Sequence, residues 1–151
     1  MITAKQIQEL REKTGISIME CKKALEESKG EEKKALMILM EKGFETAEKK
    51  SARETSQGLI ETYVHANGKI GVLVELACET DFVSRNDLFK ELAHDLAMQI
   101  TSMNPKDIKE LLIQDYIKDP SLNVNSLITQ KIQQIGENIK VKRFIRFELG
   151  E

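Results

Sequence analysis

The chain is 151 residues long, with 40% hydrophobic and 32% charged residues, a net charge of −2 and a pI near 5.8. That length supports one domain, or one domain plus a small appendage, around a properly buried core. The acidic balance argues against a protein whose main work is gripping a phosphate backbone, which requires a clear basic excess.

The two cysteines, Cys21 and Cys78, fall in different predicted elements without a companion ligand at metal spacing. Neither a zinc site nor a disulfide framework is expected, and a reducing compartment fits. The sequence shows no apolar run of about 18 residues and no charged-then-apolar leader. It therefore predicts a cytoplasmic protein without a membrane span.

Residues 1–43 predict a module of three short helices. Thr3 caps the first, which carries Ile7 and Leu10; Gln6 completes a capping box and Gly15 stands just past the end. Ser17 and Glu20 form a second box, with Ile16 and Cys21 as the apolar staple and Ile18, Cys21 and Leu25 on one face before Gly30. The third helix is expected to bury Ala35, Leu36, Leu39 and Met40 and to stop at Gly43. Helices this short are marginal alone and must pack on one another. Residues 44–57 are almost wholly polar and predict a solvated helical linker.

Residues 58–151 predict an α+β core. Leu59 to Ala66 and Lys69 to Cys78 are strand-like, and Asn67-Gly68 supplies the positive φ angles of a two-residue type I′ turn. That turn sets Tyr63 opposite Val72 and Leu59 opposite Leu76, so Ile70, Val72, Val74 and Leu76 share one face. Phe89, Leu92, Ala93, Leu96, Ala97 and Ile100 recur at helical spacing and can cover it. Asn104, Pro105 and Asp107 start another helix, Gln114 to Asn123 reads as a loop, and Val124 to Ile135 reads as a helix ending at Gly136. Ile139, Val141, Ile145, Phe147 and Leu149 then alternate with charged residues as a strand, with Phe147 expected in the core. The fold class expected is α+β, a three-helix module followed by a three-stranded antiparallel sheet packed with helices.

No catalytic constellation is present. The chain lacks a phosphate-binding G-x-x-x-x-G-K loop, a dinucleotide-binding glycine run and an H-E-x-x-H pair, so neither an enzyme nor a cofactor or metal site is expected. His65 and His94 have no paired ligand or nucleophile and read as structural or surface residues. Local physics makes Thr80 and Asp81 ordinary cap residues at a strand-to-helix corner, with Phe82 tucked under the helix start.

The run Glu75-Leu76-Ala77-Cys78-Glu79-Thr80-Asp81-Phe82-Val83-Ser84-Arg85 resembles the signature of the elongation factor Ts family. Leu10-Arg11-Glu12-Lys13-Thr14-Gly15, followed by Met19-Glu20-Cys21-Lys22-Lys23-Ala24-Leu25, resembles the opening helices of the same family. The closing stretch from Gly136-Glu137-Asn138-Ile139 to Gly150 is similar as well.

The resemblance implies a guanine nucleotide exchange factor for elongation factor Tu, acting in translation elongation by disturbing the Mg²⁺/phosphate site so that GDP leaves. It implies that Thr80, Asp81, Phe82 and Val83 form the corner that dislodges Mg²⁺. It also implies that Arg11, Ile18, Met19 and Lys22 of the helical module dock on the partner's nucleotide-binding domain, although Ile18 departs from the methionine often found there. The chain resembles the short, single-core form, for which a homodimer is implied, with neither membrane nor direct nucleic-acid contact.

Two other readings stand beside this one. Lys140-Val141-Lys142-Arg143-Phe144-Ile145-Arg146-Phe147 interleaves basic and aromatic residues, as RNA-binding strands do. The three-helix module also resembles ubiquitin-associated domains, which would suit a polypeptide-binding adaptor.

Overall fold

Capping chemistry sets the helix boundaries along the chain, which the computed structural model describes over residues 1–151. Helix α1 (Ala4–Thr14) begins where the Thr3 hydroxyl oxygen accepts the Gln6 N–H, and the Gln6 side chain accepts the Thr3 N–H at 2.8 Å. It ends at Gly15, whose φ of +68° only glycine adopts cheaply. Helix α2 (Ile18–Glu27) starts where the Ser17 hydroxyl oxygen accepts the Glu20 N–H at 3.3 Å, but the box is not reciprocal: the Glu20 carboxylate accepts the Ser17 hydroxyl and not the Ser17 backbone N–H.

Helix α3 (Glu32–Lys50) differs from expectation, because it continues through Gly43 and absorbs half of the predicted polar linker. Gly43 is buried in a close helix contact. A Cβ there would stand 2.7 Å from the Gln133 Oε1 and 3.6 Å from a Thr129 methyl. This glycine permits close approach, and without a left-handed φ it does not terminate the helix. Leu10, Ile16, Cys21, Ala24, Leu25, Ala35 and Leu39 form the first apolar core. Ile18 lies outside it at 52% exposure, so it does not share the face of Cys21 and Leu25. Met40, expected to be buried, is left at 37% exposure.

Strands β1 (Gln57–His65) and β2 (Ile70–Cys78) form the expected hairpin, with Tyr63 opposite Val72 and Leu59 opposite Leu76. At its tip Asn67 and Gly68 have φ values of 61° and 75°, and the Lys69 N–H donates to the Ala66 carbonyl at 3.4 Å. A single-turn helix, α4 (Asp81–Ser84), follows, and then α5 (Asp87–Met103). The α5 stripe of Phe89, Leu92, Ala93, Leu96, Ala97 and Ile100 is fully buried over Val72, Val74 and Leu76. Each of the larger side chains contributes about 1.5–3 kcal/mol by leaving water.

After α6 (Ile108–Ile113) the predicted loop is in fact a small hairpin of β3 (Asp115–Tyr116) and β4 (Asp119–Asn123). Long-range contacts to α5 hold it. Buried Gln99 donates to the Asp115 carbonyl at 3.0 Å and accepts the Ile117 N–H at 2.9 Å, while Lys118 pairs with Asp95 at 2.6 Å. Helix α7 (Val124–Ile135) ends at Gly136 with φ +90°.

Strand β5 (Ile139–Glu148) adds to β2, giving an antiparallel sheet of order β1-β2-β5. Its alternation breaks at a bulge: Leu76 faces Val141 and Glu75 faces Arg143, which leaves Lys142 unpaired. Beyond the bulge the parity inverts. Phe144 packs on the core, whereas Ile145 and Phe147 turn to the opposite face at 45% and 67% exposure. The expected core position of Phe147 is therefore corrected.

Candidate functional site

The corner between β2 and α4 gathers the four residues of the Asp-Phe motif. Thr80 is extended, with φ −124° and ψ 155°, and its hydroxyl oxygen accepts the Val83 N–H at 3.4 Å as the N-cap of α4. The Thr80 hydroxyl itself donates to Glu137 at 2.6 Å. Val83 is half-buried against the core below the sheet. The Ser84 hydroxyl, also buried, donates to the Asp81 carbonyl at 2.7 Å and closes the single turn from beneath.

Phe82 sits between these anchors and points away from them. It is 83% exposed, so the expectation that it tucks under the helix start does not hold. An aromatic ring left this far in water, on a turn fixed at both ends, presents a large apolar area with little rotamer entropy to lose. Beside it the Asp81 carboxylate is exposed and ion-paired with Arg85. Such an exposed pair adds little stability, but it orients the carboxylate next to the ring. Glu137 is the contributor to this corner that reasoning from single elements misses: it is 57 residues from Thr80 in sequence.

The four helical-module residues are placed on a separate surface. Arg11 and Ile18 line a shallow groove between α1 and the start of α2, together with Ala4, Ile7, Gln8 and Glu12. Met19 is 63% exposed and Lys22 is exposed on α2. Ile18 and Lys22 are one helical turn apart, so an apolar and a cationic group share a face. His65 and His94 both flank Tyr63 at the surface, with ring centroids 5.8 and 5.7 Å from it.

Two of the four cations of the basic strand, Arg143 and Arg146, have partners within the fold, while Lys140 and Lys142 are exposed. Arg143 donates to Glu75 at 2.8 Å, and the guanidinium of Arg146 is tucked against the Thr101 carbonyl at 3.1 Å. No helix is long and apolar enough to cross a membrane.

Comparison with known proteins agrees with the motifs. The family described as Elongation factor TS matches residues 79–151, which includes most of the corner. An elongation factor Ts of Carboxydothermus hydrogenoformans is 40% identical, covering 100% of this chain and 90% of the relative. Those of Thermodesulfovibrio yellowstonii and Coprothermobacter proteolyticus are each 42% identical over 99% of this chain, covering 97% and 99% of their own lengths. Relatives matched at this identity over nearly their whole length settle the grouping: the chain belongs to the elongation factor Ts family of translation elongation factors.

Proposed function

We propose that this protein is a guanine nucleotide exchange factor for elongation factor Tu. The observation that carries this reading is Phe82, 83% exposed at the tip of a turn capped by Thr80 and braced by Ser84. A GTPase holds GDP through charge-assisted contacts to the phosphates and through Mg²⁺. Displacing that ion or turning one peptide in the phosphate cradle removes such contacts, and each 1.4 kcal/mol lost is about tenfold in affinity. No covalent bond needs to change.

In this mechanism Phe82 is the wedge and Asp81 brings a carboxylate to the same place, while Thr80 and Val83 fix the angle of entry. Arg11, Ile18, Met19 and Lys22 supply binding energy from the helical module, so the tip can distort its partner without providing the whole affinity. Linkage then requires that the factor weaken GDP by the same ratio that GDP weakens the factor, which lets it depart when GTP binds.

Self-association belongs to the same proposal. Ile60, Val64, Leu73, Ile145 and Phe147 form an apolar sheet face opposite α5, each at least 44% exposed. A contiguous apolar face of this kind is expected to be covered. A second copy placing the same face against it gives a twofold dimer.

The experiment is stopped-flow release of a fluorescent GDP from elongation factor Tu with and without this protein. Acceleration that saturates with factor concentration is expected. An unchanged release rate refutes the exchange reading and leaves the adaptor and RNA-binding readings to be tested by pull-down and by salt-dependent RNA titration.

A further inference from the structure

We propose that Glu137 is a positioning residue for the Phe82 corner, an inference that rests on the exchange reading above. A wedge deforms its partner only if its base is stiffer than the site it enters. Helix α4 has 4 residues and cannot supply that stiffness by itself. Its cap bond, Val83 N–H to Thr80, is long at 3.4 Å.

Stiffness comes instead from one carboxylate in the α7–β5 loop. Glu137 Oε1 accepts the backbone N–H groups of Glu79 at 3.1 Å and Thr80 at 3.0 Å, and Oε2 accepts the Thr80 hydroxyl at 2.6 Å. Bonds to an ionised acceptor are about twice as strong as neutral ones. Three of them fix the last residues before Asp81 and Phe82, including the backbone that sets the direction of α4. The clamp is reciprocal, because Glu79 Oε2 accepts the Asn138 N–H at 3.1 Å.

The same loop also grips the end of α3. Lys50 Nζ donates to the Gly136 carbonyl at 2.8 Å, Asn138 Nδ2 donates to the Arg53 carbonyl at 2.9 Å, and Arg53 pairs with Glu79 at 3.6 Å. Residues 136–138 thus join the wedge to the helix that carries the docking module. Force on Phe82 is transmitted into the bound module and does not simply bend the corner. Both Glu137 oxygens are engaged by Glu79 and Thr80, so Glu137 acts through Thr80 and Phe82.

The test measures GDP release at rising factor concentrations for Glu137→Ala, Glu137→Gln and Glu137→Asp, with melting temperatures alongside. Glu137→Ala is expected to lower the maximal release rate about tenfold while the half-saturating concentration changes less than about twofold, because the clamp stiffens the wedge for the distorting step and adds no docking contact. Glu137→Gln keeps an acceptor for both N–H groups and should recover most of the rate. Amide hydrogen exchange in the isolated protein should speed up at residues 79 and 80 in Glu137→Ala but not in the middle of β1. A wild-type maximal rate in Glu137→Ala, or a raised half-saturation with the rate unchanged, overturns the proposal. If Glu137→Ala does not fold, Glu137→Asp decides: its retracted carboxylate should lower the maximal rate, and a wild-type rate overturns the proposal. Wild-type protein and Phe82→Ala are run beside these variants. Inactive wild type counts against the exchange reading and fully active Phe82→Ala against the wedge, whereas fully active Glu137→Ala with a working wedge counts against this inference alone.

Discussion

A Cβ on Gly58 would stand 2.1 Å from the Leu76 carbonyl oxygen, so strands β1 and β2 approach at this point more closely than any side chain allows. Gly58 also has φ +149°, a conformation that L residues avoid. Gly58→Ala is expected to cost about 3 kcal/mol and lower the melting temperature by roughly 6–12 °C. Gly68→Ala at the hairpin tip has nothing within 4 Å and should cost only about 1 kcal/mol for its positive φ. Thermal melts of the two variants check the contrast.

The face opposite α5 gives a second test. Phe147 is 67% exposed beyond the bulge at Lys142, beside the strand-paired Ile145 and Leu73. Phe147→Lys should leave the melting curve of dilute protein within about 0.5 kcal/mol of wild type, as exposed substitutions do. It should shift sedimentation toward the monomer. A dimer population equal to wild type would move the self-association surface elsewhere.

Alkaline stability follows from Cys78. Burial, reinforced by the charge of Glu137, pushes its thiol from 9.0 up to about 11. The folded pKa lies above the unfolded one, so this contribution is complete below the unfolded value and is lost as pH rises through the folded one. Stability should fall between pH 9 and 11 by an amount on the order of 1–2 kcal/mol that Cys78→Ala lacks. Denaturant titrations at about pH 8 and about pH 10.5, compared between wild type and variant, measure the difference.

Docking and wedging should separate kinetically. Lys22→Glu reverses an exposed cation on α2 and should raise the half-saturating concentration about three- to tenfold, more at low salt, with the maximal release rate retained. A fall in the maximal rate without a change in half-saturation would assign Lys22 to the exchange step itself.

Local chemistry made much of this fold readable. Thr3, Gly15 and Gly136 mark helix ends through their own caps, and Asn67-Gly68 fixes the hairpin register through its φ angles. The apolar stripe of α5 needs only helical periodicity. Three of the failures share one cause, a distant partner. Gly43 lies inside a helix as a packing glycine because Gln133 and Thr129 leave no room for a side chain, the 115–123 hairpin stands because Gln99 and Asp95 reach it, and the bulge at Lys142 exists only in the pairing with β2. The candidate corner divides in the same way. Its Thr cap is visible in the motif, whereas the exposure of Phe82 and the Glu137 clamp depend on how the β2 end meets the α7–β5 loop.

The most direct measurement is the saturating rate of fluorescent GDP release from elongation factor Tu driven by Phe82→Ala, in a protein whose melting temperature shows it folded. Removing an exposed ring should leave stability within about 0.5 kcal/mol. The maximal rate should fall at least about tenfold, with half-saturation little changed, because truncating a central aromatic anchor costs on the order of 2 kcal/mol or more. A folded Phe82→Ala protein that empties the nucleotide site as fast as wild type would contradict the wedge.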